Sequence, residues 1–153
     1  MVWQLPREDG GIWTIIQLHL ETWDAGNIRR AELAQLRDLA LREYNAGHYV
    51  VLGGDWNAVL PGVRLDQYTK RKPTARTLQL NPDFLPPGWT WGIDRSRPSN
   101  RSVEAPYDPQ RNYLTVKDGF VVSPNVRIDA VETIPLNFQD SDHEPVVMEV
   151  TGR

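Results

Sequence analysis

Three observations predict a single α/β domain over residues 1–153. A strand-like run, a helix-like run and a second strand-like run follow one another between Gly11 and Leu52, the order of a crossover unit with its two strands parallel in one sheet. The second apolar run, Val50-Val51-Leu52, stops at Gly53-Gly54 and is followed by Asp55-Trp56-Asn57. That pattern reads as a buried strand ending in a turn that delivers an acid and an amide at its C-terminal edge, where layered α/β proteins place functional groups. The final third returns to strand-like runs.

The elements can be justified in order. Met1 to Pro6 pairs with the next run as a hairpin through the turn Arg7-Glu8-Asp9-Gly10. Gly11 to Leu20 is rich in β-branched and aromatic residues and is apolar on both faces, as in the middle of a covered sheet. His19 falls near its C-terminal end. From Ile28 to Ala46, Leu33, Leu36, Ala40 and Tyr44 recur at intervals of three and four, which predicts a helix; Asn27 or Asp24 caps its start and Gly47 its end. The strand Tyr49 to Leu52 follows. Two parallel strands bring His19 and Asp55 to the same sheet edge.

Between Ala58 and Asn112 the sequence is irregular. Tyr68 to Arg76 is its one concentrated basic stretch, either a solvated loop or, through Lys70, Arg71 and Lys72, a contact for a phosphate backbone. Pro86 to Trp91 is rich in Pro and Trp and either packs onto the domain or walls a cleft by stacking. Val116 to Val122 and Val126 to Ile134 are two strand-like runs joined by Ser123-Pro124-Asn125, which predicts an antiparallel pair. Gln139 to Pro145 is a polar loop, and Val146 to Val150 a closing strand.

Composition narrows the function classes. An apolar share of 40% and a charged share of 24% are those of a globular domain with a core. A net charge of -3 supplies no global basic field for nucleic acid. The absence of cysteine excludes disulfides and thiolate metal sites without choosing a compartment. No apolar run reaches the roughly 20 residues of a membrane span, and Met1 to Gly11 lacks the basic-then-apolar order of a signal peptide.

Four motifs then carry a resemblance. Gly53-Gly54-Asp55-Trp56-Asn57, Ser141-Asp142-His143-Glu144-Pro145-Val146, His19 on a strand followed by a helix, and Val116-Lys117-Asp118-Gly119-Phe120-Val121-Val122-Ser123 occur in one order along nearly the whole chain. Together they resemble the C-terminal motifs of the endonuclease/exonuclease/phosphatase superfamily, the DNase I-like metal-dependent phosphoesterases. The resemblance implies a DNase I-like β-sandwich flanked by helices, of which this chain matches the C-terminal half to two-thirds. The family's N-terminal Asn and metal-binding Glu motifs are not found here, and Gln17 and Glu21 stand in the wrong context to replace them. The expectation is therefore an N-terminally incomplete domain with weak or no activity alone, an uncovered sheet and self-association through it.

The resemblance also implies roles. Asp55 is the base that orients or deprotonates water, and Asn57 holds Asp55 or the phosphate. Asp142 is a hard oxygen ligand for Mg²⁺ or Mn²⁺. His143 contacts the phosphate as acid or electrostatic stabiliser, Asp118 fixes its tautomer, and His19 donates to a phosphate oxygen. The substrate is a phosphate ester, with nucleic acid among the options. Two alternatives stay open: a non-catalytic interaction module or subunit completed by a partner chain, and a carbohydrate or peptide binder that uses the Trp-rich loop.

Overall fold

The structure is a computed structural model that describes residues 1–21, 27–69 and 78–153. Asp24, Lys70, Arg71 and Lys72 lie outside the described residues. The chain opens as the expected hairpin. β1 (Val2–Pro6) pairs antiparallel with β2 (Ile12–His19). The turn closes through Arg7 N–H donating to the Gly11 carbonyl at 2.8 Å.

Helix α1 (Asn27–Asn45) begins at Asn27. It lays Leu33, Leu36, Ala40 and Tyr44 against the core, the stripe that the three-and-four spacing predicts. Gly47 ends it at φ 89, with its N–H donating to the Tyr44 carbonyl. β3 (Tyr49–Asp55) then runs parallel to β2.

The two glycines of β3 are not a turn. The strand continues through them to Asp55, and the chain turns only at Asn57, at φ 44. What they supply is close approach. A Cβ on Gly53 would lie 2.3 Å from the Phe120 ring, and one on Gly54, at φ 143, would lie 2.0 Å from the Leu18 carbonyl oxygen of β2.

β4 (Thr90–Gly92) and β7 (Asp118–Val122) complete a five-stranded sheet in the order β1-β2-β3-β7-β4. Between them, β5 (Asn100–Arg101) and β6 (Leu114–Thr115) form a small ladder of their own.

β8 (Val126–Thr133) corrects the antiparallel pairing expected with the preceding run. It pairs with β9 (Val146–Gly152) in a separate two-stranded sheet, while β7 pairs with β3 and β4. The connection at Ser123 is held to β3, because Ser123 N–H donates to the Val50 carbonyl and its Oγ accepts from Val50 N–H. The chain leaves the first sheet at that point and folds over its face. Val51, Val122 and Val126 are buried there against Ile128, Met148 and Val150. The result is layered: helix, five-stranded sheet, two-stranded sheet.

The main core lies between α1 and the large sheet, around Ile16, Val50, Leu52 and Trp56. The Pro- and Trp-rich segment packs onto this core. Trp91 lies 5.0 Å from Trp56 and Trp89 lies 5.6 Å, edge-on, from Tyr44. The opposite face is less covered than the doubly apolar pattern of β2 suggests. Trp3 and Leu5 of the edge strand are each about half exposed. A cleft of 410 Å³ runs from Trp3 and Ile15 past Val51 and Phe120 to Asp118. No helix among the described residues is long and apolar enough to cross a membrane.

Asp94 ties the layers together. Its carboxylate accepts from Thr133 N–H at 2.8 Å and from Ser96 N–H and Oγ–H at 2.8 and 2.6 Å. Burial pushes its pKa up, but these bonds outweigh it and hold the carboxyl below its ordinary 3.8. A depressed folded-state pKa contributes stability that is present above the unfolded value and lost as pH falls through the folded one. Asp94→Asn should therefore lower stability at pH 7 and flatten its decline below pH ~4. Urea unfolding of both proteins from pH 7 to pH 2 checks this, and parallel curves would remove Asp94 from the acid response.

Candidate active site

The strand register builds the polar cluster. His19 of β2 is paired with Asp55 of β3, and Asp55 is paired with Asp118 of β7. Residues directly opposite one another on adjacent strands share a face, so one imidazole and two carboxylates stand in a row across three strands. Backbone bonds fix the ends of these strands. Leu20 N–H donates to the Asp55 carbonyl, and Trp56 N–H donates to the Lys117 carbonyl, both at 3.0 Å.

Asn57 fastens the turn after β3. Its backbone N–H donates to Asp55 Oδ1 at 2.8 Å, and its side-chain Nδ2 donates to the Leu20 carbonyl at 2.6 Å. The amide thus holds the β2 terminus rather than the Asp55 carboxylate. Asp55 Oδ2 is left facing two imidazoles, with His19 Nε2 and His143 Nε2 each 3.6 Å away. Both separations exceed a hydrogen bond.

His143 arrives on the polar loop before β9. Its Nδ1 lies 2.8 Å from Asp118 Oδ2, and the ring is part-buried. The loop is clamped by β5 and the residue before it: Arg101 N–H donates to the Asp142 carbonyl and Glu144 N–H to the Ser99 carbonyl. Glu144 is buried and accepts from Leu136 N–H and Phe138 N–H, which anchors the other side of the loop. Burial opposes a charge on His143, but the Asp118 hydrogen bond and the charges of Asp118, Asp55 and Asp142 outweigh it, so its pKa is raised above 6.5. Any stability contributed by this pair is fully present below pH 6.5 and is lost as pH rises through the raised value.

Five expected residues therefore meet: His19, Asp55, Asp118, Asp142 and His143. Asp142 sits at the rim, its Oδ2 4.0 Å from His143 Nε2 and its side chain 44% exposed. His19 is more open still, at 75%. Two participants were not foreseen. Ser99 and Asn100 lie in the stretch that reads as irregular, yet both are buried and both bond to the cluster. A Ser-Asn pair in a loop carries no periodic or motif signal that would have marked them.

Asp55, Asp118 and His143 present ligand atoms within 4.8 Å of one another. Asp118 Oδ2 and His143 Nδ1 are already each other's partners, and Ser99 Oγ donates to the same oxygen. Asp55 keeps Oδ2 toward the imidazoles, and Asp142 stands at the rim beside His143. Carboxylate oxygens of this kind suit a Mg²⁺-type ion, which keeps several waters and takes further oxygens from a phosphate.

A layered α/β protein with acids and imidazoles gathered at one sheet edge is the class these observations define. More particularly, the chain has a DNase I-like fold. It is similar to a mannosyl-6-phosphatase of Bacteroides thetaiotaomicron, with TM-score 0.58, 14% identity, and coverage of 95% of this chain and 54% of that one. It is equally similar to D. rerio TDP2 complexed with single-strand DNA product, with TM-score 0.58, 17% identity, and coverage of 98% and 60%. A third similar structure is ANGEL2, a 2′,3′-cyclic phosphatase in complex with adenosine-2′,3′-vanadate, with TM-score 0.58, 13% identity, and coverage of 97% and 60%. The chain spans between half and two-thirds of the length of these solved proteins. No family model matches the sequence, and no curated protein does.

Proposed function

We propose that this chain carries the phosphate-handling side of a metal-dependent phosphoesterase. The observation that carries the reading is the convergence of His19 and His143 on Asp55 Oδ2, each at 3.6 Å, from different segments of the chain. Hydrolysis of a phosphate ester needs a base for water, positive groups for the phosphoryl oxygens and a proton for the leaving oxygen. Asp55, held by Asn57, takes the proton of the attacking water. His143, backed by Asp118, contacts the phosphoryl group and supplies charge or a proton. His19 donates from the open side to a phosphate oxygen. Asp142 would hold Mg²⁺ or Mn²⁺, which when bound would neutralise phosphoryl charge and lower the pKa of water. The substrate class is a phosphate mono- or diester, and the likeness to a protein crystallised with DNA product makes nucleic acid one candidate.

The test is hydrolysis of bis-p-nitrophenyl phosphate with Mg²⁺ or Mn²⁺, with and without EDTA. Slow turnover that EDTA abolishes and added metal restores is the expected result. Turnover indifferent to EDTA would overturn the reading. So would a chain that neither hydrolyses the ester nor shows Mg²⁺-dependent NMR shifts at His19 and His143 on addition of inorganic phosphate.

A further inference from the structure

Ser99 and Asn100 fall outside every motif that the sequence offers, yet they occupy the two ends of the Asp118–His143 pair. Ser99 is fully buried. Its Oγ donates to Asp118 Oδ2 at 2.7 Å and accepts from Lys117 N–H and Asp118 N–H at 3.1 Å each. One hydroxyl thus fixes both the carboxylate and the strand end that bears it. Asn100 is 4% exposed, and its Nδ2 lies 3.2 Å from the Asp142 carbonyl and 3.0 Å from His143 Nε2. The backbone bridge between Asn100 and His143 brings the two side chains together.

The hydrogen bonds settle which end of the amide faces inward. A carbonyl can only accept, so the nitrogen of Asn100 faces Asp142. Its second N–H then points at His143 Nε2, which offers a lone pair whenever the ring is neutral. The ring proton of the neutral imidazole therefore sits on Nδ1, facing Asp118. The other tautomer would set two N–H groups against each other at Asn100 and leave Asp118 without its ring donor.

We propose that Ser99 and Asn100 are positioning residues that grip the Asp118–His143 pair from opposite ends and hold the imidazole in one orientation and one tautomer. The proposal rests on the phosphoesterase reading for its catalytic consequence, but not for its geometry. A buried Ser and Asn that only tied the loop to β5 would need bonds to backbone; here each also bonds a side chain of the pair.

The chain has three histidines, so long-range ¹H–¹⁵N spectra resolve each ring. In the wild type at high pH, His143 should show the Nδ1–H tautomer. Asn100→Leu, which keeps a buried side chain of similar size without a donor, should shift the His143 Nε2 signal and leave those of His19 and His48 in place. Asn100→Ala serves the same purpose should the leucine variant fail to fold. In the Mg²⁺-supported ester assay, the variant should lose about 10- to 100-fold in kcat, with KM within about two-fold. A wild-type Nε2–H tautomer, or His143 signals unmoved in both variants, would overturn the grip whatever the turnover. The expected tautomer and shifts in a protein that neither hydrolyses the ester nor shows the Mg²⁺-dependent response to inorganic phosphate would uphold the grip and remove the phosphoesterase reading instead.

Discussion

On the proposed phosphoesterase reading, replacing His143 by alanine is expected to cut the metal-supported hydrolysis rate by about 10²–10⁴-fold, the range of a positioned acid–base group. The loss should fall on kcat. His143 is held by Asp118 on one nitrogen and faces Asp55 with the other, so on that reading its removal takes away a charge and a proton donor while the sheet that carries Asp55 stays intact. Steady-state kinetics on the wild type and His143→Ala, with circular dichroism to confirm folding, measure this. A folded variant with unchanged kcat would remove His143 from the chemistry and with it the role assigned to Asp118.

Gly54→Ala is expected to be the most damaging added methyl group among the described glycines. At φ 143 the position is one that a side chain rarely adopts, and the added Cβ would fall 2.0 Å from the Leu18 carbonyl oxygen. That contact is backbone on backbone between two paired strands, so no side-chain rotation relieves it. Strain at such a φ costs about 1–3 kcal/mol. Parting β2 from β3 beside the core adds to it, for a total of at least about 3 kcal/mol. Because His19 and Asp55 follow on those two strands, the site should go with the stability. Denaturant unfolding of Gly54→Ala gives the number, and a midpoint within error of the wild type would show that the strands can shift to admit a methyl group.

Much of this was legible in the sequence, for physical reasons that differ by element. The helix was readable because Leu33, Leu36, Ala40 and Tyr44 repeat with its period, and Gly47 marks its end. The parallel pairing of β2 and β3 followed from the crossover between them, and it brought His19 beside Asp55. The motif around His143 was readable through resemblance, and its partner Asp118 proved to be in contact. The glycines of β3 misled because a Gly-Gly pair has the same local signature whether it bends a chain or admits a neighbour. Only the position of Phe120 and of the Leu18 carbonyl decides between these. The pairing of β8 was hidden for a similar reason. Whether a three-residue connection makes a hairpin or passes the chain to another layer depends on the bonds of Ser123 to Val50, more than seventy residues away in sequence. Ser99 and Asn100 were invisible because their importance comes wholly from what the fold sets beside them.

The face-to-face pairing of Asp55 and Asp118 leaves the sheet with a built-in quarrel. Two neighbouring acids repel, and the His143 ring that stands between them offsets this only while it carries a proton. Whatever positive guest settles between them eases that tension and tightens the whole molecule, since a ligand that prefers the folded state raises its stability by mass action. The heat resistance of this chain is thus a gauge of how full its site is, and a melting curve can be used to screen for guests before any reaction is known.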